Sequence, residues 1–145
     1  MAGLATNFRP VLKIGRWTMT QQAMKESVAM EEGAALYTDL AGEITLATSS
    51  STNTRGVLAE AILAADADYA TAKKLKYVWV PTSTEAEVEF TVGAGTFTNA
   101  DVGKTVALND SISVAVDTAG TQFRITKFLS STRGVGTFNL AFSQT

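Results

Sequence analysis

Along residues 31–142 apolar side chains return at every second position, in short runs broken by polar or glycine-bearing punctuation. That spacing fits strands with one buried face and does not fit helices. Val88, Phe90 and Val92 alternate with Glu87, Glu89 and Thr91; Ile112, Val114 and Val116 alternate with Ser113, Ala115 and Asp117; Phe138, Leu140 and Phe142 alternate with Asn139, Ala141 and Ser143. Counting the less regular runs gives nine expected strands: 34–40, 44–47, 56–61, 76–80, 88–92, 105–108, 112–116, 123–129 and 137–142. The 31 Ser and Thr residues suit this reading, because Thr fits a pleated, half-exposed surface and Ser favours turns. One short helix is expected over the Ala-rich stretch Ala61 to Leu75, capped by Asp66 or Asp68, and a single turn over Asn99 to Gly103.

Pro81 with Thr82, Ser83 and Thr84 marks a seam, so the expected organisation is a module over residues 31–84 and a second β module over 85–145 packed on it. The segment Ser49-Ser50-Ser51-Thr52-Asn53-Thr54 reads as an exposed loop, and Gly93-Ala94-Gly95 as a hairpin turn. Residues 1–30 differ in texture: Val11, Leu12, Lys13 and Ile14 give a weak strand signal that Gly15 interrupts, and the following Thr-Met-Thr-Gln-Gln has no stripe. An extended N-terminal arm is the expectation, with the first strand of the domain as the alternative.

Charge separates the same regions. Residues 1–25 hold Arg9, Lys13, Arg16 and Lys25 and no acid, while the remainder holds eight basic residues against all 14 acids. A cationic arm thus precedes an acidic body, and complementary potential of that kind serves protein docking. Nucleic-acid binding is not expected, since the body is acidic and the four cations are spread out. No apolar run approaches the length of a membrane span, and Met-Ala-Gly-Leu-Ala-Thr-Asn-Phe-Arg-Pro has no signal-peptide pattern, so synthesis in the cytoplasm is expected.

The chain has no Cys and no His, which removes thiol nucleophiles, imidazole bases, His/Cys zinc sites and disulfides. Carboxylate chemistry remains: Glu85, Glu87 and Glu89 share one strand face. A solvated strand face is the plainer account of them, and Asp66 and Asp68 lack the Gly and bidentate Glu of a Ca²⁺ loop. No catalytic residue, cofactor or metal is therefore expected, and the protein is not expected to be an enzyme.

The body resembles the head decoration, or capsid cement, proteins of tailed bacteriophages. The resemblance is carried by Glu32-Gly33-Ala34-Ala35-Leu36-Tyr37, Ile44-Thr45-Leu46-Ala47-Thr48, Arg55-Gly56-Val57-Leu58-Ala59-Glu60-Ala61 and Tyr77-Val78-Trp79-Val80-Pro81, and by the stretch from Phe97-Thr98-Asn99-Ala100-Asp101-Val102-Gly103-Lys104 through Gln122-Phe123-Arg124-Ile125-Thr126-Lys127-Phe128. It implies a small antiparallel β-barrel or β-tulip module with a second β module, and a structural protein on the outer surface of the virion. It also implies a major capsid protein as partner and a homotrimer on three-fold or quasi-three-fold sites that clamps neighbouring capsomers against DNA pressure. Under that reading residues 1–25 reach to the shell or a neighbouring subunit, with Arg9, Lys13 and Arg16 facing acidic groups and Phe8 and Trp17 as apolar anchors. A tail or baseplate accessory and a carbohydrate-binding β module are the alternatives, the latter calling on Trp17, Tyr37, Tyr69, Tyr77 and Trp79.

Overall fold

The structure, a computed structural model, describes residues 7–13, 16–51 and 54–139. Its strands are β1 (Arg9–Pro10), β2 (Trp17–Met24), β3 (Ala35–Thr38), β4 (Ile44–Leu46), β5 (Gly56–Leu58), β6 (Lys74–Pro81), β7 (Glu87–Ala94), β8 (Thr105–Asp110), β9 (Ser113–Ala119), β10 (Phe123–Ser130) and β11 (Arg133–Phe138). The fold is mainly β. Strands β2-β4-β3-β5-β6 close a small barrel, and β1-β7-β11-β10-β8-β9 form a second sheet in which β9 also returns to pair with β7.

Where the barrel meets the second sheet, β3 and β5 are short apolar runs because both of their faces are buried there. On β3, Leu36 points into the barrel and Ala35 into the core of the second sheet; on β5, Leu58 and Val57 divide the same way, and on β6 so do Val78 and the partly buried Trp79. The wall between the two modules is therefore built from the two faces of the same three strands. An amide of one module is bonded to a carbonyl of the other, Ala35 N donating to Ser111 O at 2.7 Å. The second core is aromatic: Phe8, Phe90, Phe97, Phe123 and Phe138 are all buried, with Phe8 against Phe138 at 4.8 Å and Phe90 against Phe123 at 5.1 Å between ring centroids.

Residues 7–30 are not a separate arm. β1 pairs with β7 of the second sheet, and β2 pairs with β6 of the barrel along all eight of its residues, so this stretch is woven into both modules. The alternation that marks other strands is missing from Trp17–Met24 because Thr, Gln and Met occupy both of its faces, and the length of β6 specifies the strand instead. Ile14 and Gly15, with the first six residues, lie outside the described residues.

The helix expected over Ala61 to Leu75 is absent. Consecutive turns run through residues 64–73, with Asp66 N donating to Leu63 O, Tyr69 N to Asp66 O and Thr71 N to Asp68 O, before β6 starts at Lys74. Asp66 works locally there, its Oδ2 accepting from Leu63 N at 2.8 Å, and a side chain that competes for backbone groups favours turns over helix. Among the described residues the one helical turn is the 3₁₀ segment Asn99–Asp101, followed by Gly103 at φ +96°.

Other local expectations shift for steric reasons. Gly93 and Ala94 continue β7 rather than forming a hairpin, Ser113 and Ala115 are buried instead of wet, with Ser113 packed over Gly93 and bonded to Asn109 and Asp110, and Ser51 and Thr54 are buried within a loop expected to be exposed. Thr52 and Asn53 of that loop lie outside the described residues. The last strand begins at Arg133 rather than Thr137, and Leu140 and Phe142 lie outside the described residues. Its glycines face rings: a Cβ at Gly134 would come within 2.7 Å of Phe90, and one at Gly136 would overlap the Phe123 ring and the Arg124 carbonyl. A glycine that reads as a turn in sequence is here the space into which an aromatic side chain packs.

Candidate functional site

The N-terminal segment runs antiparallel to the strand that carries the glutamates, so the basic residues rise in number as the acidic ones fall. Arg9 Nη2 lies 2.6 Å from Glu89 Oε2, Lys13 Nζ lies 3.9 Å from Glu87 Oε1, and Arg16 Nη2 lies 3.1 Å from Glu85 Oε1. The two charged features of the sequence thus meet each other within one chain. β7 places Val88 and Phe90 in the core and turns Glu87 and Glu89 outward, and β1 lays Arg9 opposite Glu89.

Glu89 is held from two sides, since Arg133 Nη2 on β11 also donates to its Oε1 at 3.2 Å. The Arg9 guanidinium, joined by that of Arg133, holds the Glu89 carboxyl below the usual carboxylate range, against the partial burial that acts the other way. A carboxylate clamped by two guanidiniums is poorly suited to proton transfer near neutral pH. Glu87 is engaged as well, its Oε2 accepting from Thr126 Oγ1 at 2.9 Å. Sequence reasoning missed Arg133 and Thr126 because their approach depends on the register of β10 and β11.

The five residues expected to reach a partner are placed as follows. Phe8 is buried at 1 % exposure among Phe123 and Phe138, which corrects its expected role as a free anchor. Trp17 is half-buried against the same core, and its Nε1 donates to Glu87 O at 3.1 Å. Arg9, Lys13 and Arg16 do face acidic groups, and those groups are Glu89 and Glu87 of β7 and Glu85 just before it.

A different surface is left with exposed apolar side chains. Leu40 in the β3–β4 turn is fully exposed, and Leu63 before β6 and Leu75 on β6 are 57 % exposed. Their segments converge on residues 23–30: Leu75 is the register partner of Ala23, Lys25 Nζ lies 3.0 Å from Asp39 Oδ2 beside Leu40, and Ile62 beside Leu63 bridges Met30. Buried Lys74 draws these segments together, its Nζ donating to Lys25 O at 3.0 Å and Tyr69 O at 3.1 Å. Lys76 pairs with Asp68 at 3.0 Å nearby. Hydrogen bonds from the Glu43 amide first, and then from Lys25, hold Asp39 below the usual carboxylate range, and Lys76 does the same for Asp68.

The modules are also joined by one buried amide. Gln122 Nε2 donates to Thr48 O at 2.8 Å and Ser51 O at 2.6 Å, while its Oε1 accepts from Leu108 N at 2.8 Å. No group of three or more acidic side chains among the described residues is placed to hold a metal ion. Comparison of the chain with protein-family models, with curated proteins and with solved structures found no match in any of the three.

Proposed function

We propose that this chain is a head decoration protein of a tailed bacteriophage, which binds the outside of the expanded shell and clamps neighbouring capsomers against the pressure of packaged DNA. Its partner is the major capsid protein, it sits as a homotrimer at three-fold or quasi-three-fold positions, and it carries out no catalysis. The observation that carries the reading is the exposure of Leu40, Leu63 and Leu75 on three segments that each meet residues 23–30, a stretch braced by Lys25–Asp39 and by buried Lys74. Apolar side chains held in water by a rigid frame suit docking onto a protein surface. The family resemblance in residues 32–61 and 77–81 names the kind of surface. Many copies, each touching several shell subunits, add avidity without any one contact being strong.

This reading moves the shell contact from Arg9, Lys13 and Arg16, which are engaged with Glu89, Glu87 and Glu85 of their own chain, to the exposed leucines. Co-sedimentation with expanded and unexpanded shells tests it. Saturable binding to expanded shells alone is expected, at a copy number that matches their three-fold positions, and Leu40→Asp with Leu75→Asp is expected to weaken it by at least about tenfold. Absence of binding to either form of the shell overturns the proposal for that shell.

A further inference from the structure

The register of β2 against β6 fixes which way each of its backbone groups points. Thr82 N donates to Arg16 O at 2.9 Å, and those two residues continue the ladder in which Trp17 faces Pro81 and Thr18 faces Val80. Directly opposed residues exchange hydrogen bonds at every second pair. Thr18, Thr20 and Gln22 therefore aim their amides and carbonyls at β6, and Trp17, Met19 and Gln21 aim theirs at the opposite edge. On that side β2 meets β4 only at Met24, and among the described residues no other strand pairs with it.

Natural sheets guard long edges with charge, proline, a bulge or shortness. The outer edge of β1 has two residues, one of them Pro10, and β4 and β5 have three residues each. β2 has eight residues, no charge, no proline, no glycine and an unbroken register with β6. Beside it on the outer surface stand Met19, Tyr77 and Leu75, which are 43 %, 47 % and 57 % exposed.

We propose that a second copy of this chain occupies that edge, the two β2 strands pairing antiparallel about a two-fold axis through Met19. The charge distribution selects a second copy. Beyond residue 25 the chain carries 14 acids against eight bases, a net negative charge that copies share, whereas Trp17–Met24 brings no charge against its own image. With Met19 on the axis, all three outward-facing residues are used: Trp17 exchanges bonds with Gln21 of the second copy, Met19 with Met19, and Gln21 with Trp17. Thr18 then stands opposite Thr20, and because Met19 is already the partner of Trp79, one apolar row crosses both molecules as Trp79, Met19, Met19 and Trp79. The contact is self-complementary, as a two-fold interface requires. It does not depend on the decoration reading; on a shell it would join copies bound at neighbouring positions.

The test uses the purified full chain. Light scattering coupled to size exclusion is expected to show a dimer whose share grows with concentration, or, where a separate surface forms trimers, pairs of trimers. Met19→Lys sets two ammonium groups face to face on the axis and is expected to halve that mass while leaving the circular dichroism unchanged. The chain has no cysteine, so Met19→Cys supplies its only thiol. Paired residues of this kind lie about 5.5 Å apart between Cα atoms, within reach of a disulfide, so mild oxidation is expected to give a covalent dimer at least about tenfold faster than for Leu129→Cys on β10. A species that does not change with concentration, a mass that Met19→Lys leaves unchanged, or equal crosslinking of the two cysteine variants overturns the proposal.

Discussion

The two cores that share β3, β5 and β6 are built from different side chains. The barrel encloses Met24, Met30, Leu36, Ile44, Leu58, Ile62 and Val78 with no fully buried ring, while the second sheet adds to its Val, Leu, Ile and Ala residues five phenylalanines whose neighbouring rings stand 4.8 to 5.9 Å apart. Aliphatic and thioether side chains adapt to small changes of shape, whereas interlocked rings need particular backbone positions left empty. That explains why Gly134 and Gly136 lie in β11 against Phe90 and Phe123. The barrel reaches its closure another way, through the long β2–β6 pairing and through buried Lys74 at its end.

The largest effect is expected where a single segment serves both regions. Deleting residues 1–25 removes β1 from the second sheet, Phe8 from its core and β2 from the barrel. The truncated chain is expected to show no cooperative thermal transition. A native-like melt would mean that residues 7–25 are an appendage after all, and it would restore shell binding by the truncated chain as a fair test of an arm.

Point substitutions separate the two cores. Phe123→Ala is expected to cost about 3–5 kcal/mol, because Phe123 touches Phe8, Phe90 and Phe138. Leu36→Met in the barrel keeps its volume and is expected to cost less than about 1.5 kcal/mol. Denaturant titration of both variants checks the contrast, and equal losses would mean that the cores do not differ in tolerance. Lys74→Met falls between these effects: it leaves the Lys25 and Tyr69 carbonyls without the ammonium, at an expected cost of about 1–3 kcal/mol. Enhanced amide exchange confined to residues 25–30 and 64–73 would locate the loss at the barrel end, and exchange raised evenly along the chain would place Lys74's role elsewhere.

Strands with one wet face were legible from sequence because alternation reports burial directly, as in Val88 and Phe90 against Glu87 and Glu89. β2 was not, because its Thr, Gln and Met side chains carry no periodic signal, and only its pairing with β6 reveals it as a wall of the barrel. The start of β11 was hidden in a similar way, since Gly134 and Gly136 have no side chain to alternate, and only the rings opposite them show why those positions are empty. At the candidate sites, the cations and the glutamates were each visible, while their meeting was not: it depends on an antiparallel approach between residues about 70 to 80 positions apart. The exposed leucines were illegible for a related reason, because an apolar residue reads the same whether the fold covers it or leaves it in water.

The smallest effect distinguishes the charged ladder from either core. Glu89, Asp39, Asp68 and Asp101 are all held below their ordinary values by neighbouring donors, Glu89 chiefly by Arg9 and Asp101 chiefly by Lys104. A depressed carboxylate stabilises the fold above its unfolded value, and that contribution is lost as pH falls through the native one. Lys25, Lys76 and Lys104 are raised, so their contribution is present below pH 10.5 and is lost only in stronger base. With no histidine in the chain, no side chain of ordinary pKa titrates between these limits, and Tm is expected to be nearly level from about pH 6 to 9 and to fall below about pH 4.5. Glu89→Gln removes one depressed carboxylate and leaves two guanidiniums without their shared partner. Because Arg9 is half-exposed, the loss at pH 7 is expected to stay within about 1 kcal/mol, to shrink in high salt, and to flatten part of the acid slope. An acid slope unchanged by Glu89→Gln would assign it to Asp39, Asp68 and Asp101, moving the pH-sensitive part of the fold away from the ladder and toward the turns of the two modules.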